Sequence, residues 1–600
     1  MTSRSFSRGV MLVIGALWMT ACTAVIAPQA TPGLTATAGE TGVIESPTPS
    51  PEPTRPAPPT LPAEPSLTPE MAAETLPALT PVELSGAPSC SPPERAEEEA
   101  LQGWSQLGRD PRRTSFYPAE VSWPWKVRWI WNGPADGGEG NPAMDHLKLP
   151  QGVQPVSGDG RLYVGHSDGR VRAIAEETGQ TVWTSESLGG AIVNAGAYSP
   201  DTGCVYFGAQ NGKFTLLDAR TGELKRMVDL HGAIDMAPLL AGDRVFVGSQ
   251  SGVFYALDSS TLTQRWAYDA GAALIASPAF SENHGGMVIL LAEDRTVHAL
   301  SANTGKLLWR VTVNADVDPI RKTVFADTFP VVSDRHDVVI VRSYLNWEKI
   351  WQPDGGAPST VEGIREFLTR NSEYQSLFVL NLTDGSPRFV APVMLGAIGN
   401  GGDLESTPPQ VALRRLADGT EVATLLWRNR QSCPPSYCDS RSDTTLGEMD
   451  LTTGNIRFVQ DHKDQGNMRL PTDEQSPLAL AGDMIFYAHW QLLGTLKVVD
   501  RSAALGESYA SPITTRELTP ALNTLAPGVC AGRSAHFCPG GMSSPGEGFA
   551  VDPGFYIYVS EERIYDQFWT TPVRSAVISR GAIYWKSVDG AIVALASLEP

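Results

Sequence analysis

The residues with the clearest chemical potential recur at one place in a repeating pattern. Gly152, Asp235, Ile275, Asp327, Glu405 and Glu474 each stand three residues before a proline: Pro155, Pro238, Pro278, Pro330, Pro408 and Pro477. Copies without the proline place Asn194 and Arg574 at the same point. If each marks the start of an inner strand, the positions face one another across a channel. Asp235, Asp327, Glu405, Glu474 and Asn194 would then converge at its mouth, beside Arg574. Oxygen ligands of this kind suit Ca2+. A hydrated acidic funnel with no specific ligand explains the pattern equally, and both readings stay open at this point.

Seven cysteines supply a second set. Cys22 ends Met19-Thr20-Ala21-Cys22, after a basic start (Arg4, Arg8) and an apolar run too short to span a bilayer. The tetrapeptide resembles a bacterial lipobox, so residues 1–21 are expected to be a lipoprotein signal peptide and Cys22 a lipid attachment site. Cys433 and Cys438 flank one short loop, Cys530 and Cys538 another. Close pairs in an exported chain are expected to be disulfides, and neither pair has the partner ligands of a zinc site. Cys204, inside Gly203-Cys-Val-Tyr-Phe, reads as a buried free thiol, and Cys90 has no obvious partner.

Other chemistry is thinly represented. The chain contains no Gly-x-Ser-x-Gly elbow, no His-Glu-x-x-His, no Walker loop and no Cys-x-x-Cys-His haem motif. No residue is assigned as catalytic. The formal net charge of −20 argues against nucleic acid, whose phosphates need Lys and Arg, and against anionic lipid head groups. Membrane contact is expected through the lipid anchor alone, and the chain is expected to be a monomer.

The elements that must position these residues are written as a repeat. Ala173-Ile-Ala-Glu-Glu-Thr178-Gly179 through Trp183, Leu216-Leu-Asp218-Ala-Arg-Thr221-Gly222, Ala256-Leu-Asp258 through Trp266 and Ala299-Leu through Trp309 follow about every 40 residues. Weaker copies lie at Val379-Leu-Asn381, Glu448-Met-Asp450, Val498-Val-Asp500 and Ala594-Leu-Ala596. Each repeat reads as four strands, A to D. In the clearest, A is around Ile234 to Leu240, B is Arg244 to Gly248, C is Val253 to Asp258 and D is around Gln264 to Tyr268. Short strands at this period signal a β-propeller. Eight copies of strand C predict eight blades, and Lys126-Val-Arg-Trp129-Ile-Trp131 is expected to supply the strand D that the last copy lacks.

Repeats of the form Gly-x-x-Tyr/Phe-Ala-Leu-Asp-x-x-Thr-Gly-x-x-x-Trp resemble the PQQ-type repeat of quinoprotein alcohol dehydrogenase-like eight-bladed propellers. The opening Trp104-Ser-Gln-Leu-Gly108-Arg-Asp110 resembles the start of such domains. The likeness covers residues 104–600, most strongly the first four blades. That family includes PQQ-dependent alcohol dehydrogenases, which bind cofactor and Ca2+ at the channel mouth, and non-enzymatic lipoproteins, notably the outer-membrane assembly scaffold. The adjacent Cys-Cys pair of some alcohol-oxidising members is absent here.

The expected fold class is therefore all-β, an eight-bladed propeller behind a signal segment and a disordered Pro/Thr-rich stalk. Residues 22–92 are read as the stalk and residues 93–600 as the propeller. At about 3.1 Å per residue such a spacer reaches at most on the order of 200 Å. The long insertions near 347–373, around Cys433–Cys438 and near 511–569 are all expected on the face that carries the acidic mouth. The first is expected to hold a short helix, Thr360 to Arg370. The resulting functional expectation is an extracytoplasmic, lipid-anchored binding or scaffold module at the cell envelope. Its partner would be an envelope protein or glycan on the insertion-bearing face. The alternative is a PQQ- and calcium-dependent dehydrogenase of alcohols or sugars.

Overall fold

In the computed structural model the chain divides into residues 1–73 and residues 74–600. The structure describes residues 78–83, 90–94, 101–121, 125–131, 133, 149–150, 152–313, 325, 328–343, 361–372, 375–393, 410–416, 419–428, 444–460, 478–482, 484–489, 492–498, 513–517, 573–587 and 592–597. Cys22, Cys433, Cys438, Cys530 and Cys538 lie outside the described residues.

Eight four-stranded antiparallel sheets form the blades, seven from consecutive strands and one completed by an N-terminal strand, and two of the eight are extended by one further strand. Strands B and C of blade 3, Arg244–Gly248 and Val253–Asp258, match the sequence pattern. Strand D is Gln264–Asp269. Strand A is shorter than its apolar run suggested, only Leu239–Ala241 directly after Pro238. In blade 7, strand D is Ile513–Glu517, the first part of what read as an insertion. Blade 8 is completed as expected. Trp125–Trp131 pairs antiparallel with Ile592–Ser597, Trp129 opposite Ala594, so no open edge remains at the joint.

Asp-x-x-Thr-Gly closes the hairpin between strands C and D in blades 2 and 6, and variants of it close those of blades 1, 3, 4 and 5. Asp218 Oδ1 accepts the amides of Arg220 (2.9 Å) and Thr221 (3.0 Å) and the Thr221 hydroxyl (3.1 Å). Gly222 follows with φ +75°, and a Cβ there would sit 2.4 Å from the Trp183 ring of the preceding blade. The Trp183 indole donates to the Ala219 carbonyl at 3.0 Å. Trp129 does the same to Glu176 O across the ring closure, and Trp266 to Ala302 O, both at 2.9 Å. The repeat is thus a lock, in which the tryptophan of one blade lies on the glycine turn of the next. The seam between blades 2 and 3 lacks it. Arg226 takes the tryptophan's place in the register, and buried Leu262, with φ 56°, takes the glycine's.

An N-terminal arm lies at that seam, within the segment read as stalk. Val82–Glu83 adds antiparallel to strand D of blade 2, Val82 opposite Met227. The Leu79 amide donates to the Gln264 side chain of blade 3 at 2.9 Å. Cys90 is disulfide-bonded to Cys204. This corrects the reading of Cys204 as a free thiol. Strand B of blade 2 begins at Cys204, and the chain from residue 90 packs so tightly beneath it that a Cβ on Gly203 would meet Ser91 O at 2.0 Å.

The next segment fills the channel. Inner strands of seven blades and the A–B turn of blade 8 donate an amide to it: Arg580 to Gln102 O, Ser157 to Trp104 O, Tyr198 to Ser105 O, Phe280 to Pro111 O, Val332 to Arg112 O, Leu413 to Thr114 O and Leu480 to Ser115 O, at 2.7–3.0 Å, with Leu240 donating to the Gln106 side chain at 3.0 Å. Phe116–Tyr117 then pairs parallel with strand A of blade 7. Buried amides need acceptors, and a ring of inner strands leaves a row of them facing the axis. This plug supplies the acceptors from one passage of chain.

The helix Val361–Arg370 exists where expected, but it does not simply decorate the mouth face. It packs against strand D of blade 5, Pro387–Val390, with Ile364 and Leu368 buried. Arg365 Nη2 donates to Gly454 O at 2.9 Å, in the C–D turn of blade 6 on the opposite face.

Candidate functional site

Of the channel-mouth positions, Gly152, Asn194, Asp235 and Ile275 are described with their side chains. Asp327, Glu405 and Glu474 lie outside the described residues. For Arg574 only the backbone is described, in the strand Val573–Ser579. Asn194 and Asp235 do lie side by side on neighbouring blades, as the alignment requires. Asn194 Nδ2 donates to the backbone carbonyl of Asp235 at 2.8 Å, and Asn194 Oδ1 accepts the Ala195 amide at 2.8 Å.

The Asp235 carboxylate is engaged on both oxygens. Gln210 Nε2 donates to Oδ1 at 3.1 Å, and Gln250 Nε2 donates to Oδ2. Each glutamine follows strand B of its blade, so the carboxylate ties the B–C turns of blades 2 and 3 to the start of a strand A. Gly152 and Ile275 bring no side-chain oxygen. Among the described residues no cluster of three His, Cys, Asp or Glu side chains is arranged to hold a metal. The described half of the mouth thus brings one carboxylate and one side-chain amide, both already hydrogen-bonded within the ring, and no chemical step is derived through Ca2+ or PQQ.

Beneath the mouth the axis is occupied by Arg113, which sequence reasoning missed. Its φ is 61°, flanked by Arg109 at 76° and Ser115 at 53°. These strained conformations are held by the eight-blade contacts around them. The fully buried guanidinium donates to three carbonyls: Pro278 O (2.8 Å) from Nε, Leu107 O (2.6 Å) from Nη1 and Pro238 O (3.1 Å) from Nη2. Burial pushes its pKa down to about 9, countered by Asp110, so it stays charged at neutral pH. The available signal was Gly108-Arg-Asp110. Gly108 makes the turn, and Asp110 Oδ1 accepts the Arg112 and Thr114 amides, as a tight loop requires.

A second array, with Thr296 and His298 buried, Tyr268 half-buried and Asp294 exposed, lies between blades 3 and 4. Tyr268 Oη is 2.9 Å from His298 Nδ1, His298 Nε2 is 2.6 Å from Thr296 Oγ1, and Thr296 Oγ1 bonds the Asp294 carboxylate. An ionised Asp294 only accepts, which sets every proton in the row. Thr296 donates to Asp294, His298 Nε2–H donates to Thr296, and Tyr268 donates to Nδ1. The imidazole is therefore neutral, and burial holds its pKa down to about 4. With the Thr296 hydroxyl proton directed away from the imidazole, the array has no base to activate a nucleophile. It joins two blades.

Residues 167–388 match the family model described as "Outer membrane protein assembly factor BamB". The matched segment runs from within blade 1 to strand D of blade 5. The fold is an eight-bladed β-propeller whose repeats resemble the PQQ type. The outer membrane protein assembly factor BamB of Salmonella typhimurium is 25% identical over 181 residues, 29% of this chain. The match spans less than half of that relative, 45% of its length. Among solved structures, BamB from Moraxella catarrhalis is 16% identical with a TM-score of 0.42, over 76% of this chain and 97% of that one. Quinohemoprotein alcohol dehydrogenase from Comamonas testosteroni is 14% identical with a TM-score of 0.46, over 84% and 81%.

Proposed function

We propose that this chain is a non-catalytic binding or scaffold module of the bacterial envelope, working outside the cytoplasm from a lipid anchor at Cys22. The observation that carries the reading is the match of residues 167–388 to a family model named for an assembly factor. The engagement of Asp235 by two amides, and the plug with Arg113 on the axis, accord with a channel filled for structure. Its partner is an envelope protein or glycan. The competing reading is a PQQ- and calcium-dependent dehydrogenase, for which Asp327, Glu405 and Glu474 of the expected ring lie outside the described residues.

Purified full-length protein supplied with PQQ and Ca2+ should not reduce an artificial electron acceptor when given alcohols or sugars. Sustained cofactor-dependent reduction would overturn the scaffold reading in favour of the dehydrogenase. Mass analysis of the mature N-terminal peptide tests the anchor, which predicts a diacylglyceryl mass on Cys22.

A further inference from the structure

Each propeller blade has an outer edge at strand D, and a free edge is a template for another strand. A bulge recurs in this edge just before the tryptophan position, and it turns one side chain outward. In blades 3 and 5 that residue is the exposed Arg265 and Arg388, whereas in blade 2, whose edge the arm covers, it is Lys225, buried and paired with Glu223 at 2.7 Å. Charge at an edge discourages strand addition. Blade 1 has Val182 there and blade 4 has Leu308. In blade 4 the preceding residue is also an exposed leucine, so Leu307 and Leu308 are 38% and 45% accessible side by side.

The chain itself covers two outer edges. The arm Val82–Glu83 covers blade 2, and the helix Val361–Arg370 packs on blade 5. Among the described residues nothing pairs with the outer edge of blade 4, Leu307–Thr312. The arm shows what such an edge accepts: an extended apolar–acidic pair, antiparallel, with Glu83 in register with Arg226. Blade 4 offers the complementary surface. Exposed Lys306 and Arg310 flank the two leucines, a basic and apolar strip on a chain of net charge −20.

We propose that the outer edge of blade 4, Leu307–Thr312, is a strand-addition site for an extended segment of a partner protein that alternates apolar and acidic side chains. Main-chain hydrogen bonds would supply affinity. The leucines and the basic flanks would supply selection. The proposal rests on the reading of the chain as a binding module and names the surface such a module would use.

The test is fluorescence anisotropy with full-length protein and a labelled nonapeptide of alternating valine and glutamate. Wild type should bind. The double variant Leu307→Glu, Leu308→Glu should bind at least about ten-fold more weakly while melting like wild type, as exposed sites allow. Val182→Glu should bind as wild type. The same peptide N-methylated on alternate backbone nitrogens should lose binding to wild type. That arm decides the question even if the double variant fails to fold. No binding by wild type, or binding indifferent to both the leucine changes and the N-methylation, overturns the proposal. So does a wild-type dimer that the double variant converts to monomer, since a second copy would then occupy the edge. Dye reduction with PQQ and Ca2+ reads the scaffold hypothesis separately from the peptide result.

Discussion

Trp309 donates its indole N–H to the Leu382 carbonyl at 2.6 Å, across the seam between blades 4 and 5. Its ring lies on Gly385, where φ is +74° and a Cβ would fall 2.6 Å from the ring. Trp309→Ala should therefore cost about 3–5 kcal/mol. Trp309→Phe keeps the packing and should cost only about 1 kcal/mol, for the hydrogen bond, beyond the small volume change. Gly385→Ala should destabilise as well, by steric overlap and backbone strain. Denaturant unfolding of the three variants checks the order, and a Trp309→Ala protein that unfolds with wild type would refute the lock.

Arg113→Met should remove the donor for three carbonyls at the axis, Leu107 O, Pro238 O and Pro278 O. Loss of at least about 3 kcal/mol is expected, because buried acceptors left without a donor each carry a penalty. Arg113→Lys should recover only part of it, since an ammonium does not reproduce the planar fork. Limited proteolysis near residues 101–121 should accelerate in the methionine variant.

Glu176 is buried at the closure between blades 8 and 1, with Arg580 Nε 3.5 Å away. Burial raises its pKa to about 7 from 4.5, with Ser579 and Arg128 pulling it back. Between those values the folded chain holds a proton that the unfolded chain has released, so stability falls as pH rises through the window. Glu176→Gln should remove that slope. The variant should gain up to about 3 kcal/mol relative to wild type between pH 4.5 and pH 7.5, read from unfolding midpoints.

His298 has the opposite sign. Its folded pKa of about 4 lies below the ordinary 6.5 because burial disfavours the cation. The unfolded chain binds the extra proton between those values, so this group's stability contribution is lost as pH falls from 6.5 to 4. His298→Gln should flatten this rise with pH, whatever it does to stability at neutral pH. A variant whose profile keeps the wild-type slope over that window would show that His298 does not titrate as argued.

Non-reducing peptide mapping should recover Cys90 linked to Cys204. The bridge closes a separation of 114 residues, so Cys90→Ser should lower stability by up to about 4–5 kcal/mol on the chain-entropy account. Cleavage of residues 78–100 by protease should also become faster, because the arm would then hold without its covalent tie, by its strand pairing and the Leu79–Gln264 hydrogen bond. Free, alkylatable Cys90 and Cys204 in exported protein would count against the arm's attachment.

The local code of the blade was legible from residue order. Asp218-x-x-Thr221-Gly222 dictates its own turn through bonds within five residues, and the strand alternation of Arg244–Gly248 and Val253–Asp258 needs no distant partner. Ring closure by Lys126 to Trp131 could also be inferred, because a count of strands leaves one edge short. The side-by-side placement of Asn194 and Asp235 followed from the repeat itself.

Only the tertiary structure decided the rest. Nothing local marks Cys90 as the partner of Cys204, since the pairing depends on an arm that crosses two blades before reaching the channel. The role of Arg113 depends on carbonyls contributed by Pro238 and Pro278, more than a hundred residues away. The two amides that claim Asp235 come from turns on two different blades, so a carboxylate that looked available for a cation is engaged by the ring around it. Short-range hydrogen bonding writes the blade into the sequence. What lies between blades and along the axis is set by closing the circle.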